Sequence, residues 1–172
     1  MTYPFIIAEM SGNHNQSLER ALKIVDAAAD AGASAIKIQT YTADTLTIKG
    51  VFKITEKSSL WYGKDLHDLY DEAHTPWDWH KAIFEHAEKR GIICFSSPFD
   101  ETAVDLLESL NNPIYKIASF EINHIPLLKY IAKTGKPVIM STGASSLSEI
   151  AEAVNVLKRE GCENLTLLKC TS

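Results

Sequence analysis

The sequence predicts an α/β fold of the (β/α) barrel type, and three observations predict it. Short apolar runs rich in β-branched residues alternate with amphipathic stretches at helical spacing, the rhythm of a parallel sheet covered by helices. Glycines follow most of the helical stretches, where a helix stops. Three strand-like segments, FIIAEM, AIKIQ and YKIAS, each carry one charge near the C-terminal end: Glu9, Lys37 and Lys116. A charge in an apolar run costs several kcal/mol unless it is compensated. Repeated at strand ends, it marks an enzyme site at one mouth of a barrel.

In chain order, strands are expected at residues 5–10, 35–39, 92–96, 114–118, 138–141 and 165–168, and helices at 17–31, 77–90, 101–110, 125–133 and 147–159. Ser17 suits the N-cap of the first helix and Gly32 its stop. Pro76 suits the start of the second, and Gly91 its end. Gly135 and Gly161 follow the fourth and fifth. The stretch from Thr40 to Thr75 breaks the rhythm, at about 36 residues against the usual ~2–6 of a βα connection. A short helix is expected there from Leu60, Leu66, Leu69 and Tyr70, and the stretch reads as a lid or recognition loop over the barrel mouth. A closed barrel needs eight strands and typically ~250 residues. Six are found, which leaves an open doubly wound sheet or a barrel truncated after strand 6 of 8. A truncated barrel would expose apolar strand edges.

Composition narrows the class. Residues 1–172 suit one domain, and 45% apolar with 23% charged residues is ordinary for a globular protein. The net charge of −5 gives no reason to expect nucleic acid, so any anion site is local. Three cysteines without metal spacing suit a reducing, cytoplasmic setting. Neither a signal peptide nor a membrane span is expected. The chain has no G-x-G-x-x-G, P-loop, C-x-x-C or G-x-S-x-G motif, against dinucleotide, phosphate-loop and hydrolase-elbow chemistry.

The candidate site residues follow from the strand ends. YKIASFEI reads as one buried strand delivering Lys116, Ser119 and Glu121. Lys37 and Gln39 share one face of AIKIQT, while Ile36 and Ile38 face helices. Two inward lysines repel unless an anion lies between them, so a phosphorylated or carboxylated ligand is favoured over an internal salt-bridge network. Ser141 and Thr142 add hydroxyls, and the STGAS turn offers backbone N–H groups to an oxyanion. Glu9, before Asn13 and His14, suits acid/base work or a substrate hydroxyl; pairing with Lys37 or Lys116 is the plainer alternative. His14 reads as a loop cap, and Trp61, Trp77 and Trp79 as packing anchors. Ser96 or Ser97 suits the lining of the site. His80 and His86 are expected on exposed helix positions. A lysine Schiff-base aldolase fits the same lysines.

The blocks AEMSGNHN, AIKIQTY, FSSPFDE, YKIASFEI, KPVIMSTGAS and LTLLKCTS resemble the sialic acid synthase family of phosphoenolpyruvate-dependent sugar-condensing enzymes. The segment LWYGKDLHDLYDEAHTPWDWH is most similar to the pseudaminic acid synthases of that family, with the N-acetylneuraminate and legionaminate synthases as alternatives. The resemblance implies a (β/α) barrel of the TIM type that joins phosphoenolpyruvate to an open-chain N-acetylated amino sugar of the 2,4-diacetamido-2,4,6-trideoxy-altrose type, giving a nonulosonic acid. It implies that Lys37, Lys116, Ser119, Ser141 and Ser172 hold phosphoenolpyruvate, that Glu9 and Glu121 are catalytic, and that Asn13, Gln39 and Tyr41 contact the sugar. It also implies a divalent metal, manganese or magnesium, and a cytoplasmic homodimer acting on small molecules, without membrane or nucleic acid. Relatives carry metal-binding histidine blocks on strands 7 and 8 and an antifreeze-like domain. Residues 1–172 correspond to the N-terminal part of such a barrel and lack these parts. Metal ligands are therefore expected beyond residue 172, and this stretch alone is expected to show weak or no turnover, or to act only as a ligand-binding fragment.

Overall fold

The structure, a computed structural model, describes residues 3–170. The chain forms two compact units, 1–94 and 95–172.

In the first unit β1 (Ile7–Glu9) pairs in parallel with β2 (Ala35–Thr40), with Glu9 opposite Lys37. β1 is shorter than expected because Phe5 and Ile6 are exposed, and the pairing closes at Met10 N–H to the Lys37 carbonyl, 3.0 Å. Between the strands runs α1 (Leu18–Asp30), where the Ser17 hydroxyl accepts from Arg20 N–H. Its buried Ala21, Val25 and Ala28 recur at helical spacing and pack with Ile36, Ile38, Ile83 and Ala87. The alternation along β2 is as expected: Ile36 and Ile38 are fully buried, while Lys37 and Gln39 are half-buried on the other face.

The long connection holds two helices, α2 (Ala43–Leu46) and α3 (Leu66–Ala73), with an antiparallel bridge between Lys53 and Asp65. Leu60 stays outside α3 and is exposed. His67 Nε2–H donates to Asp44 Oδ1 at 2.8 Å, tying α3 to α2. A 3-10 turn, Trp77–Trp79, then leads into α4 (His80–Lys89).

β3 (Ile93–Pro98) crosses from the first unit into the second. There β3, β4 (Tyr115–Ile117), β5 (Val138–Ser141) and β6 (Leu165–Leu168) pair in parallel in chain order. A doubly wound sheet needs a reversal of strand order. Among the described residues neither unit contains one. The intervening helices are α5 (Glu101–Ser109), α6 (Ile125–Ala132) and α7 (Leu147–Arg159). Ser146 and Glu149 form a capping box at the start of α7. Thr166, Leu167 and Leu168 of β6 are exposed.

One expectation fails in an informative way. YKIASFEI is not a single strand: β4 stops at Ile117, and Ser119–Asn123 form a 3-10 turn. Glu121 N–H bonds the Ala118 carbonyl at 3.1 Å, and His124 N–H bonds Glu121 O at 2.9 Å. Lys116 and Glu121 are an odd number of residues apart, so a continuous strand would send them to opposite faces. The turn instead brings the Glu121 carboxyl within the field of Lys116.

Candidate active site

In the first unit the candidate residues cluster around the ends of β1 and β2. Lys37 and Glu9 form an ion pair, as register partners on one face. Glu9 Oε1 also accepts from Ser11 N–H at 3.2 Å. Lys37 thus has a carboxylate partner within the protein, the plainer of the two pairings that the sequence leaves open.

Asn13, Gln39 and Tyr41 line one cavity of about 470 Å3. That volume suits a single small ligand, since such pockets span roughly 300–1,000 Å3. Its walls come from the turn after β1, the end of β2, and α3 with the loop before it. Gly12 allows the close approach: a Cβ there would stand 3.0 Å from the Ala73 carbonyl oxygen. Gln16 Nε2 donates to the Glu72 and His74 carbonyls at 2.9 and 2.7 Å, fastening the turn to the end of α3. Ser11, Asn15 and Gln16 take left-handed φ values of 49°, 49° and 54°, a local strain that these anchors hold. Burial pushes Tyr41 up to about 12, with neighbouring Tyr70 adding to it, so its phenol stays protonated near neutrality.

Two histidines support this corner. His14 is fully buried; its Nδ1 accepts from Gln16 N–H at 3.2 Å, so Nε2–H donates to Thr75 Oγ1 at 3.2 Å. It caps the loop, and Trp79 meets its ring edge-on with centroids 5.6 Å apart. Burial, then His74, lowers its pKa. His80 corrects an expectation: it is fully buried rather than exposed. The Pro76 carbonyl can only accept, so His80 Nδ1 carries the proton at 3.1 Å and Nε2 accepts from the Thr40 hydroxyl at 2.8 Å. Burial drives its pKa down to about 4. His86 is half-buried against Asp26, 2.8 Å away. Trp77 Nε1–H donates to the Tyr41 carbonyl at 3.2 Å, so this tryptophan braces the end of β2.

In the second unit Lys116 is 7% exposed. Its ammonium donates to Ser141 Oγ at 2.5 Å and to the Ile117 carbonyl at 2.9 Å. β4 and β5 pair with Lys116 opposite Ile139, which places Ser141 one turn of pleat further along the neighbouring strand. Ser119 approaches the same place: a Cβ on Gly143 would stand 2.9 Å from Ser119 Oγ and 3.1 Å from Cys170 Cβ. Only a residue without a side chain keeps this cradle open. Cys170 was not foreseen. Its thiol is held below its usual range first by a hydrogen bond with Ser141, then by Ser119, Lys116 and the Gly143 backbone, with burial opposing. Thr142 Oγ1 donates to the Leu168 carbonyl at 3.0 Å and so ties β5 to β6. Glu121 Oε2 is buried with no hydrogen-bond partner, and burial raises the carboxyl's pKa against the opposing pull of Lys116. Ser96 and Ser97 are buried, with Ser96 N–H bonded to Asn112 Oδ1 at 3.1 Å. Ser172 lies outside the described residues.

The second unit thus presents a buried cation, clustered hydroxyls and a carboxyl whose pKa burial raises. The first presents a polar and aromatic cavity. Residues 24–172 match the NeuB family. The chain belongs to that family. It is 49% identical over 171 residues to a pseudaminic acid synthase of Campylobacter jejuni, across 98% of this chain and 49% of that protein. It is 38% identical to an N,N'-diacetyllegionaminic acid synthase of the same species, across 100% of this chain and 52% of that protein. Among solved structures, an N-acetylneuraminic acid (sialic acid) synthetase from Leptospira borgpetersenii, crystallised with citrate, matches with a TM-score of 0.86 and 34% identity, across 99% of this chain and 55% of that one. The fold is that of this family, α/β of the (β/α) TIM-barrel type. The chain spans about half the length of the curated relatives it matches.

On the insertion side Trp61, Leu69 and Tyr70 line the cavity. The sequence marked Leu69 and Tyr70 only as helix-forming and Trp61 only as a packing anchor; the reading of the overlong connection as a recognition loop was the signal that could have joined them to the site.

Proposed function

We propose that the protein carrying this chain is a pseudaminic acid synthase, condensing phosphoenolpyruvate with a 2,4-diacetamido-2,4,6-trideoxy-altrose type sugar and releasing phosphate. The observation that carries this reading is Lys116, buried and anchored to Ser141 beside the Gly143 cradle. Such a fixed ammonium among hydroxyls suits a dianionic phosphate or carboxylate. The higher identity to the pseudaminic than to the legionaminic enzyme supports the choice of sugar.

Lys116, Ser119 and Ser141 hold the anionic substrate, and the low-dielectric surroundings strengthen that hold. The C3 carbon of phosphoenolpyruvate attacks the open-chain aldehyde carbon, forming the new C–C bond as the aldehyde oxygen takes a proton. Water adds at C2, and the C2–phosphate oxygen bond breaks to leave a 2-keto acid and phosphate. Glu121, its pKa raised, suits the proton handling at the water step. Lys37 and Glu9 form a second charged pair, in which Lys37 suits a carboxylate and Glu9 a hydroxyl. Asn13, Gln39 and Tyr41 receive the sugar in the cavity.

Among the described residues no group of three or more His, Cys, Asp or Glu is placed to hold a metal ion. They do not fit a metal site, and the roles assigned to them are binding and proton handling. We place the expected manganese or magnesium on ligands outside the described residues, and the working form as a cytoplasmic homodimer. Free Cys94, Cys162 and Cys170 suit a reducing compartment, and among the described residues no helix is long and apolar enough to cross a membrane.

The test is phosphate release from phosphoenolpyruvate by the full-length protein, dependent on both the sugar and manganese. Lys116→Ala should weaken phosphoenolpyruvate binding about 10- to 100-fold by calorimetry, the worth of a hydrogen bond to a charged group. Turnover with N-acetylmannosamine alone would sink the pseudaminic assignment. Unchanged binding by the Lys116 variant would sink the anion site.

A further inference from the structure

The cavity in the first unit has two chemically different walls. Asn13, Asn15, Gln39 and Ser11, from the strand ends and the following turn, provide amide and hydroxyl groups. Trp61, Leu69 and Tyr70, from the long insertion, provide an apolar and aromatic surface. Tyr41 backs that surface, meeting Tyr70 edge-to-face with centroids 6.0 Å apart and planes at 79°. Such pairs hold aromatic rings in place and add to area burial. Glu72, which also lines the cavity, is paired with Lys64 at 2.5 Å, so its charge has a partner on the protein.

We propose that this insertion-borne wall of Trp61, Leu69 and Tyr70 selects the sugar by its far end, accepting a 6-deoxy methyl terminus over a 6-hydroxymethyl one. The inference rests on the reading of the cavity as the sugar site. Its physical basis is the asymmetry of the walls. The polar side can pair the hydroxyls and acetamido groups of an amino sugar, which orients the chain of the substrate. The end directed at the insertion then meets aromatic and aliphatic carbon. A methyl there gains from burial, whereas a hydroxyl must give up water for little return. An apolar pocket rejects an added hydroxyl by only about 10- to 100-fold, and that sets the size of the effect. Trp61 is 48% exposed, so its ring can be replaced without opening a hole in a packed core.

The experiment is a calorimetric titration of the full-length protein with 2,4-diacetamido-2,4,6-trideoxy-altrose and with its 6-hydroxy counterpart. It is repeated for Trp61→Ala, Tyr70→Ala and the conservative Trp61→Phe, with circular dichroism to confirm folding. The native protein should prefer the 6-deoxy sugar about 10- to 100-fold. Each alanine variant should lose most of that preference by weakening the 6-deoxy sugar, leaving the 6-hydroxy sugar within about threefold, and Trp61→Phe should retain it. Equal affinity of the native protein for the two sugars would overturn the proposal. So would equal weakening of both sugars in the alanine variants. Intact selectivity without phosphate release from phosphoenolpyruvate would overturn the synthase reading and leave the selecting wall standing.

Discussion

Acid should loosen the cavity-bearing corner of the first unit through His80. This residue is fully buried and neutral, with Nδ1–H on the Pro76 carbonyl and Nε2 accepting from Thr40 at the end of β2. Its pKa is about 4 in the folded chain against 6.5 for the free side chain. A lowered histidine pKa means that the unfolded chain binds the proton more readily, so stability is present above 6.5 and is lost as pH falls through about 4. At about 1.36 kcal/mol per pH unit, the full loss is about 3 kcal/mol, of which about 2 kcal/mol has gone by pH 5. Carboxylates titrate in the same range, so the effect is isolated by difference. His80→Gln keeps a hydrogen-bonding side chain but cannot take the charge. Urea unfolding of both proteins at about pH 7 and pH 5 should show the native chain losing about 2 kcal/mol more than the variant. Parallel losses, or an NMR titration of the His80 ring near 6.5, would refute the reasoning.

Glu121 should act in the opposite sense. Its folded pKa is raised, so the folded carboxyl is favoured when protonated and stability declines as pH rises from about 4.5 through the folded value. Glu121→Gln should therefore be more stable than the native chain near neutrality and show no advantage in acid, measured by thermal unfolding across pH. If the protein is the proposed synthase, the same variant should lose turnover while still binding phosphoenolpyruvate. Gly143→Ala should push on Ser119 and Cys170 and weaken phosphoenolpyruvate binding with little change in melting temperature. An unchanged dissociation constant would show that the cradle is not part of the anion site.

Much of the architecture was legible because it depends on local pattern. The expected strands at 138–141 and 165–168 and the helix at 147–159 carry the same bounds in the structure. The cap at Ser17 and the alternation of AIKIQT follow from side-chain chemistry within a few residues. Errors fell where a contact far along the chain overrides that pattern. His80 is polar on a helix and reads as exposed, yet Thr40, forty residues earlier, receives it. The sequence leaves the partner of Lys37 open between Glu9 and a ligand anion, and it is the register of β1 and β2 that brings Glu9 to it.

The amino-acid sequence alone determined that this is a βα protein with charged strand ends, because periodicity, caps and misplaced charges are local and additive. It also held the family blocks that carry the resemblance. Only the tertiary structure decided which charges meet. It broke YKIASFEI into strand and 3-10 turn so that Glu121 feels Lys116, and it brought Ser141, Ser119, Gly143 and Cys170 to one place. It also folded the insertion into a cavity wall beside Gln39 and Tyr41. These depend on strand register and on chain reversals whose energies are sums over distant residues, and no stretch of sequence read by itself contains such sums.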